Sequence, residues 1–497
     1  MKRTFFVSLC ESLNVIVQFA NFILWGFFFG ARAAMDAFQT SVALPMVLVT
    51  VITGPLIFSL VPLLVEAKRK NAATDFAQFR SNLVNLFAAG GMLLAAVILA
   101  ASGLLVRLIA PGLDPGMRLL ATRLLRIEVL AIPLLIVGGV LISFFYTEEK
   151  FYRPTIAPFF GSLAAILLLI FGHRTLGIRA LAWGMVLNAL VQMLFMLGII
   201  RNHSWRLDWR DARIRKFVRR MLPLSGGNIY YKSDSLVDRF ILSFLPTGSI
   251  SYLAYGQRIT TIIGQVLGRG LVTTRFTELS AKNLADRNGF IESVNRLFIR
   301  VNFVIMPIIV CLLLFIQPFL LIVFRRGAFS TDDLRRTAIV IIAFLGLLLG
   351  GLLGSVLANT FYALGDTKTV TLIGISMFTV GIFLKIAGVL TFSYVGVALA
   401  TSLYFMLAVV VEMAVLQKKI KLFSWRSTAA PILKILPPAL GAWGVGLTYK
   451  KLFRIGIFSL MGGAALVIAV YILLSWLFGV FKKNDLPVFL QKVIKAE

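Results

Sequence analysis

Charge is scarce in this chain, and negative charge scarcer still. Charged residues fill 14% of its 497 positions, with 21 Asp and Glu against 50 Lys and Arg. Soluble domains run to about 25% charged, so a soluble enzyme is excluded. A hydrophobic share of 59% excludes a disordered chain as well. Cysteine is nearly absent: Cys10 and Cys311 each lie inside an apolar run, which excludes a disulfide framework and any redox or metal spacing. His173 and His203 stand far apart in short polar stretches, so no histidine-based metal site is expected. The polar segments hold no P-loop and no catalytic constellation, so the chain reads as no enzyme, with no cofactor. No small-residue cleavage site follows Met1-Lys2-Arg3, and the first apolar run reads as an uncleaved helix.

What the sequence has is length of apolar run. A bilayer core asks for about 20 apolar residues per helix. Runs of that size lie near 5–30, 37–65, 82–109, 124–146, 155–172 and 176–200, then near 221–246, 250–274, 297–324, 337–364, 369–391, 394–416, 430–449 and 455–481. The fold class is therefore an all-α polytopic membrane protein of about 14 transmembrane segments. The seventh run is the least apolar, since it carries Lys232, Asp234, Asp238 and Arg239.

The net charge of +29 would suggest nucleic acid in a soluble chain; here it is read first as topology. With the N-terminus inside, the inner segments collect Lys68-Arg69-Lys70, Lys150, Arg153, the stretch 201–220, Lys282, Arg287, Lys418, Lys419, Lys421, Lys482 and Lys483. About 30 basic residues fall inside against about 14 outside, so both termini are expected in the cytoplasm. Arg325-Arg326 and Arg335-Arg336 fall outside and read as solvated loop residues.

The two halves resemble each other. Phe145-Tyr146 closes segment four and Phe361-Tyr362 closes segment ten, 216 positions later. Ala110-Pro111-Gly112 corresponds to Arg325-Arg326-Gly327, Val84-Asn85-Leu86-Phe87 to Val294-Asn295-Arg296-Leu297-Phe298, and Leu176-Gly177-Ile178 to Val395-Gly396-Val397. Six segments per copy is an even number, so the copies are parallel repeats about an axis along the membrane normal, with a cavity expected between them. The domain reading is an N-lobe at 1–200, a basic linker at 201–220, a C-lobe at 221–417, and segments thirteen and fourteen with a tail at 418–497.

Polar groups inside such segments are costly and face a cavity or a partner. Glu11, Asn14, Gln18 and Asn21 recur at intervals of three and four and share one helical face. Tyr230, Asp234 and Asp238 form a second stripe, and Arg258, Thr261, Gln265 and Arg269 a third. The alternative for each is interhelical hydrogen bonding that only holds the bundle together. Two guanidiniums without a carboxylate on their own helix point to an anionic ligand. Asp36 either belongs to the cavity or caps its own helix. Lys385, midway along segment eleven, either snorkels to the surface or pairs with Asp238 or Asp234.

Several motifs together resemble the MurJ (MviN) lipid II flippase family, within the multidrug/oligosaccharidyl-lipid/polysaccharide exporter superfamily. They are Phe29-Gly30-Ala31-Arg32-Ala33-Ala34-Met35-Asp36-Ala37-Phe38 with Leu44-Pro45, then Val61-Pro62-Leu63-Leu64-Val65-Glu66 and Ala110-Pro111-Gly112. In the second half they are Gly248-Ser249-Ile250-Ser251-Tyr252-Leu253 with Tyr255 and Arg258, Gly327-Ala328-Phe329, and Val395-Gly396-Val397-Ala398-Leu399-Ala400-Thr401-Ser402. The resemblance spans essentially the whole chain. It implies two six-helix lobes in a V shape plus two C-terminal helices, in the bacterial inner membrane. It also implies alternating access that carries a lipid diphosphate headgroup to the outer leaflet, with membrane lipids and cell-wall synthesis proteins as partners, in a monomer without nucleic acid. Asp36 and Arg258 match family cavity positions. The family's helix-one arginines are missing, with Asn21 where the second is expected, and Val49 stands in place of its helix-two arginine. Some relatives hold sodium with acids of segments seven and eleven; Asp238 and Thr401 fit that pattern, while Lys385 replaces the second acid, so an Asp238–Lys385 pair and no sodium are expected. Two other readings remain: a cation-coupled drug or polysaccharide-lipid exporter, supported by Asp234 and Asp238, and a non-transporting envelope scaffold.

Overall fold

The computed structural model describes residues 2–70, 73–200, 203–205, 207–268, 287–324, 327–453 and 456–480. Among them the chain is helical, without a strand. The helices are α1 (Lys2–Phe29), α2 (Ala33–Lys70), α3 (Ala73–Ala100), α4 (Ser102–Ile109), α5 (Pro115–Glu128), α6 (Ala131–Thr147), α7 (Tyr152–Leu176), α8 (Arg179–Leu197), α9 (Ala212–Lys232), α10 (Asp234–Leu242) and α11 (Ser249–Gly268). They continue with α12 (Arg287–Phe324), α13 (Thr331–Ala343), α14 (Leu345–Ala363), α15 (Thr367–Ile420), α16 (Ala430–Leu433), α17 (Leu436–Leu452) and α18 (Ile457–Leu477).

Among the described residues, eleven helical stretches are long and apolar enough to cross a membrane. One of them, α15, runs for 54 residues but breaks at Phe392 and Ser393, so it is two segments. The α9–α10 and α11 stretches are the two that fall short, because of their polar stripes. Counting α15 twice and adding these two gives a number compatible with the fourteen apolar runs. Phe58, Phe171, Leu390 and Phe458 are each more than three-quarters exposed on such helices, a surface suited to lipid.

Two compact units emerge, Met1–Ala254 with Arg326–Phe329, and Tyr255–Arg325 with Ser330–Glu497. The first has a core of Leu56, Leu60, Phe79, Leu83, Leu141, Phe144 and Phe217, drawn from α2, α3, α6 and α9. The second has Val294, Phe298, Val301, Leu353, Leu357, Phe361 and Leu416 from α12, α14 and α15. A further cluster docks α17 and α18 onto α12 through Leu314, Phe315, Ala442, Val467 and Tyr471. The Tyr471 hydroxyl donates to the Phe303 carbonyl at 2.9 Å, so the phenol spends no polar group on lipid.

The repeat is visible in backbone detail. After segment four, Lys150 N donates to Phe145 O at 2.9 Å; after segment ten, Asp366 N donates to Phe361 O at 2.9 Å. The turn residues Glu149 and Gly365 both have positive φ, 55° and 74°. Asn85 Nδ2 donates to Ser204 O at 2.9 Å, and its counterpart Asn295 donates to Leu422 O at 2.7 Å, each pinning the polar strand that follows the sixth segment of its copy. The short links inside the hairpins match too, but three residues earlier than the Gly177–Gly396 correspondence suggests. Gly177 has φ 56° and ψ −137°, and Ser393 has φ 55° and ψ −142°. Gly396 serves differently: a Cβ there would overlap the Gly388 carbonyl, so it lets the two arms of the second hairpin cross closely.

At the end where basic residues collect, Arg80 ties three segments of the first unit. Its Nη1 reaches Glu148 at 3.0 Å, its Nη2 donates to Ile199 O at 2.7 Å, and its guanidinium lies 4.7 Å from the Phe144 ring centroid. Burial pushes the Glu148 carboxyl up, but the hydrogen bond from Lys150 and the charges of Arg80, Lys150 and Lys68 outweigh it and hold it below its ordinary 4.5.

A lowered carboxyl pKa stabilises the fold above the unfolded value and loses that contribution as pH falls through the folded one. The unfolding midpoint is therefore expected to fall on acidification below pH 4.5, and less steeply in Glu148→Gln, as a thermal melt across that range will read. The Ser393 conformation is one that a side chain tolerates at a cost of about 1–3 kcal/mol. Ser393→Gly is expected to stabilise the protein by about 1 kcal/mol; an unchanged melting temperature would show that the strain is relieved elsewhere.

Candidate functional site

The polar residues picked out by the sequence fall on three helices. Glu11, Asn14, Gln18 and Asn21 lie along α1, all partly buried. Gln18 Nε2 donates to Asn14 Oδ1 at 3.3 Å, and Trp25 Nε1 donates to Asn21 Oδ1 at 3.1 Å. These amides thus satisfy part of their hydrogen bonding along their own helix, in the i to i+4 pattern. Asn21, standing where family arginines are expected, is held by an indole.

Asp36 is 2% exposed and caps a helix other than its own. Its Oδ2 accepts from Gly248 N at 2.5 Å; its Oδ1 accepts from Ser251 N at 2.8 Å and from Ser251 Oγ at 2.5 Å. The first N–H groups of α11 have no partner within the helix, and the positive end of the helix dipole favours a carboxylate there. Gly248 has φ 96°, and a Cβ on it would stand 2.9 Å from the Tyr252 ring and 3.0 Å from Ala31 O. Glycine is therefore required for the approach of α2 to α11.

Two other glycines make matching contacts at the same end of the first unit. Gly112 N donates to Ser243 Oγ at 3.0 Å, and a Cβ on Gly112 would lie 2.5 Å from Ser243 O. Gly327 packs its backbone on Phe27, with Ala328 N donating to Phe27 O at 2.7 Å. Phe27 and Ser243 are themselves one repeat offset apart.

Tyr230 lies near the end of α9, and Asp234 and Asp238 lie on α10, beyond the break at Ser233. Asp238 and its neighbour Arg239 are buried. Arg239 Nε donates to Gln39 O at 3.1 Å, and the carboxylates of Asp238, Asp36 and Asp234 act on its charge. That places a compensated guanidinium one turn along α2 from the Asp36 cap.

On α11, Arg258, Thr261 and Gln265 are all exposed, while Ile259 and Thr260 are buried on the other face. Gly256 allows that face to close on Val340. The third stripe is thus accessible, as a ligand site requires. Arg269 falls outside the described residues. Lys385 in α15 is fully buried, so it does not snorkel; its Nζ lies 5.7 Å from the Tyr404 ring centroid. Thr401 is buried nearby in sequence and donates to Val397 O at 2.8 Å. Asp238 belongs to the first unit and Lys385 to the second.

The sequence reading passes over two buried acids. Glu128 closes α5 and is fully buried; Glu412 lies in α15 and is 7% exposed. Glu412 interrupts the apolar run of segment twelve and is visible to a scan for charge in apolar runs. Glu128 follows Arg118, Arg123 and Arg126 and reads as the polar margin of segment four.

The family model described as "Lipid II flippase MurJ" matches residues 27–484. A probable lipid II flippase MurJ of Vibrio cholerae is 32% identical over 230 residues, 45% of this chain and 43% of that protein. The chain thus aligns with less than half the length of that relative. One from Buchnera aphidicola subsp. Acyrthosiphon pisum is 27% identical over 383 residues, 74% of each chain. Among solved structures, a lipid II flippase MurJ in an inward closed conformation overlays with a TM-score of 0.84 at 22% identity, covering 96% of this chain and 99% of that one. A multidrug resistance MATE family transporter of the MOP superfamily, inward-facing, gives 0.70 at 15% identity over 82% and 94%. The helix order and the fold are shared with these structures. The match over residues 27–484 places the chain in the lipid II flippase MurJ family.

Proposed function

We propose that this protein is a lipid II flippase of the bacterial inner membrane, moving a polyprenyl-diphosphate-linked headgroup from the inner to the outer leaflet by alternating access. The family match over residues 27–484 carries the reading. The basic segments then face the cytoplasm together with both termini, and the Asp36–α11 cap lies toward the outer leaflet. No bond is made or broken; the protein lowers the cost of taking a charged headgroup through a low-dielectric slab.

The accessible stripe of α11 supports this reading. Arg258 offers a planar fork to a phosphate, and Thr261 and Gln265, on the same face, offer hydrogen bonds to sugar or peptide. Fewer arginines meet the diphosphate than the family pattern provides, so Arg258 bears more of the attraction. The Asp36 cap acts as a latch: while both oxygens hold the first turn of α11, α2 and α11 stay closed at that end, and release of the carboxylate opens it. Lys385 supplies a fixed positive charge where relatives place an acid, which makes transport indifferent to sodium.

Translocation of a labelled lipid II by the protein in vesicles tests this. Arg258→Ala is expected to lower the rate about tenfold or more, the scale of one charge-assisted hydrogen bond. Asp36→Ala is expected to lower it through the latch while leaving lipid II binding in place. Wild-type rates in Arg258→Ala would sink the phosphate role. Sodium stimulation of the wild type would sink the Lys385 assignment.

A further inference from the structure

Glu128 is a fully buried acid to which the transport reading gives no part. Its Oε1 lies 2.9 Å from Ser41 Oγ, on α2, and among the described residues its Oε2 has no donor. The same Ser41 oxygen lies 2.9 Å from Phe38 O. A serine hydroxyl has one hydrogen and cannot serve two acceptors at once. Both contacts are satisfied together when Glu128 carries a proton: the acid donates to Ser41 Oγ, and Ser41 donates to Phe38 O. An ionised carboxylate in this place would leave one acceptor unserved and its own charge without a cation.

The charged groups of the elements packed around it are engaged elsewhere or face away. On α2, Asp36 holds Gly248 and Ser251, and Glu66 pairs with Lys216. On α3, Arg80 pairs with Glu148 and Asp75 with Arg213. On α5 itself, Arg118 donates to Pro111 O and Leu113 O, and Arg126 to Ser102 Oγ. Arg123, Arg107 of α4 and Arg179 of α8 are exposed, and α6 offers Tyr146 at its far end.

The site also sits at an interruption between two helices. Glu128 is the last residue of α5, and the helix breaks at Val129 and Leu130 before α6. Pro133 explains the break, because its ring crowds the carbonyl four residues earlier, that of Val129. Gly91 packs closely on it: a Cβ there would meet Pro133 Cα at 2.9 Å. Ser41 lies on α2, five residues beyond the Asp36 latch. One helix, α2, thus carries both the Asp36 cap and the hydrogen-bond partner of Glu128.

We propose that Glu128 is a proton-binding site, loaded in the conformation described here and unloaded to water when α2 and α5 separate at Ser41. On unloading, the O–H bond of the acid breaks, the proton passes to water, and the carboxylate left behind is hydrated in the opened gap. Only what the proton drives rests on the transport reading.

Infrared spectroscopy of the purified protein in lipid nanodiscs, with no substrate, tests the loading. The wild type at neutral pH is expected to show a protonated-carboxyl C=O stretch that is missing from Glu128→Gln; identical spectra overturn the assignment. Should Glu128→Gln fail to accumulate, Ser41→Ala carries the same test, since loss of the hydrogen bond shifts that band to higher frequency and an unshifted band overturns it. In vesicles, an imposed pH gradient is expected to change the rate of lipid II translocation by the wild type and to leave Glu128→Gln unaffected. A wild type that translocates but ignores the gradient overturns the unloading step. A wild type that translocates nothing counts against the flippase reading, while the infrared result still decides the proton site.

Discussion

A helix that begins or ends away from water leaves backbone groups with nobody to bond, and within a bilayer that cost has no external relief. Much of the described structure answers this one constraint. The first turn of α11 is satisfied by a carboxylate borrowed from α2. The polar strands after the sixth segment of each copy are tied down by asparagines that reach their carbonyls. The close of α1 meets an N–H from residue 328. Each is a polar group supplied by a distant part of the chain to a helix end or to the stretch that follows one.

The same constraint sorts the charged residues. Those in the polar loops and helix ends form ordinary exposed or half-exposed pairs, such as Arg336 with Asp332, of small individual worth. Of those inside the segments, some are compensated, as Arg239 is by three carboxylates, and some lie on an accessible face, as Arg258 does. Glu128 fits neither group; it is neutralised by a proton. A net charge of +29 therefore says little about what the protein handles. A handful of buried or inward positions carry that information.

The all-helical membrane-spanning class, the seventh run as the least apolar, and the duplication were legible in the sequence because apolar length and turn residues are local properties. The shared exposure of Arg258, Thr261 and Gln265 was legible too, since their spacing matches one helical face. Less legible were the partners. Asp36 looked like a cap for its own helix or a cavity residue, and nothing local tells that Gly248 and Ser251, more than two hundred positions away, claim both its oxygens. Glu128 was hidden by its neighbours: three arginines in the preceding turns made it look interfacial, and only the fold turns it toward Ser41. The Gly177–Gly396 match misled for a different reason. Glycine in one copy answers a dihedral requirement and in the other a packing requirement, and a sequence comparison sees one letter for both.

The small contact of residues 327–329 with Phe27 has a consequence for how the chain divides. By sequence, the natural cut falls in the basic linker at 201–220, between two homologous copies. By contact, residues 326–329 belong with the first unit, although they lie deep in the second copy. The first unit also runs on to Ala254, so the two partitions differ by residues 221–254 as well as by this four-residue clasp. A gene split at the linker would give two fragments, and the first would lack the segment that closes the end of α1. The end of α1 is thus completed by a segment some three hundred positions further along the chain.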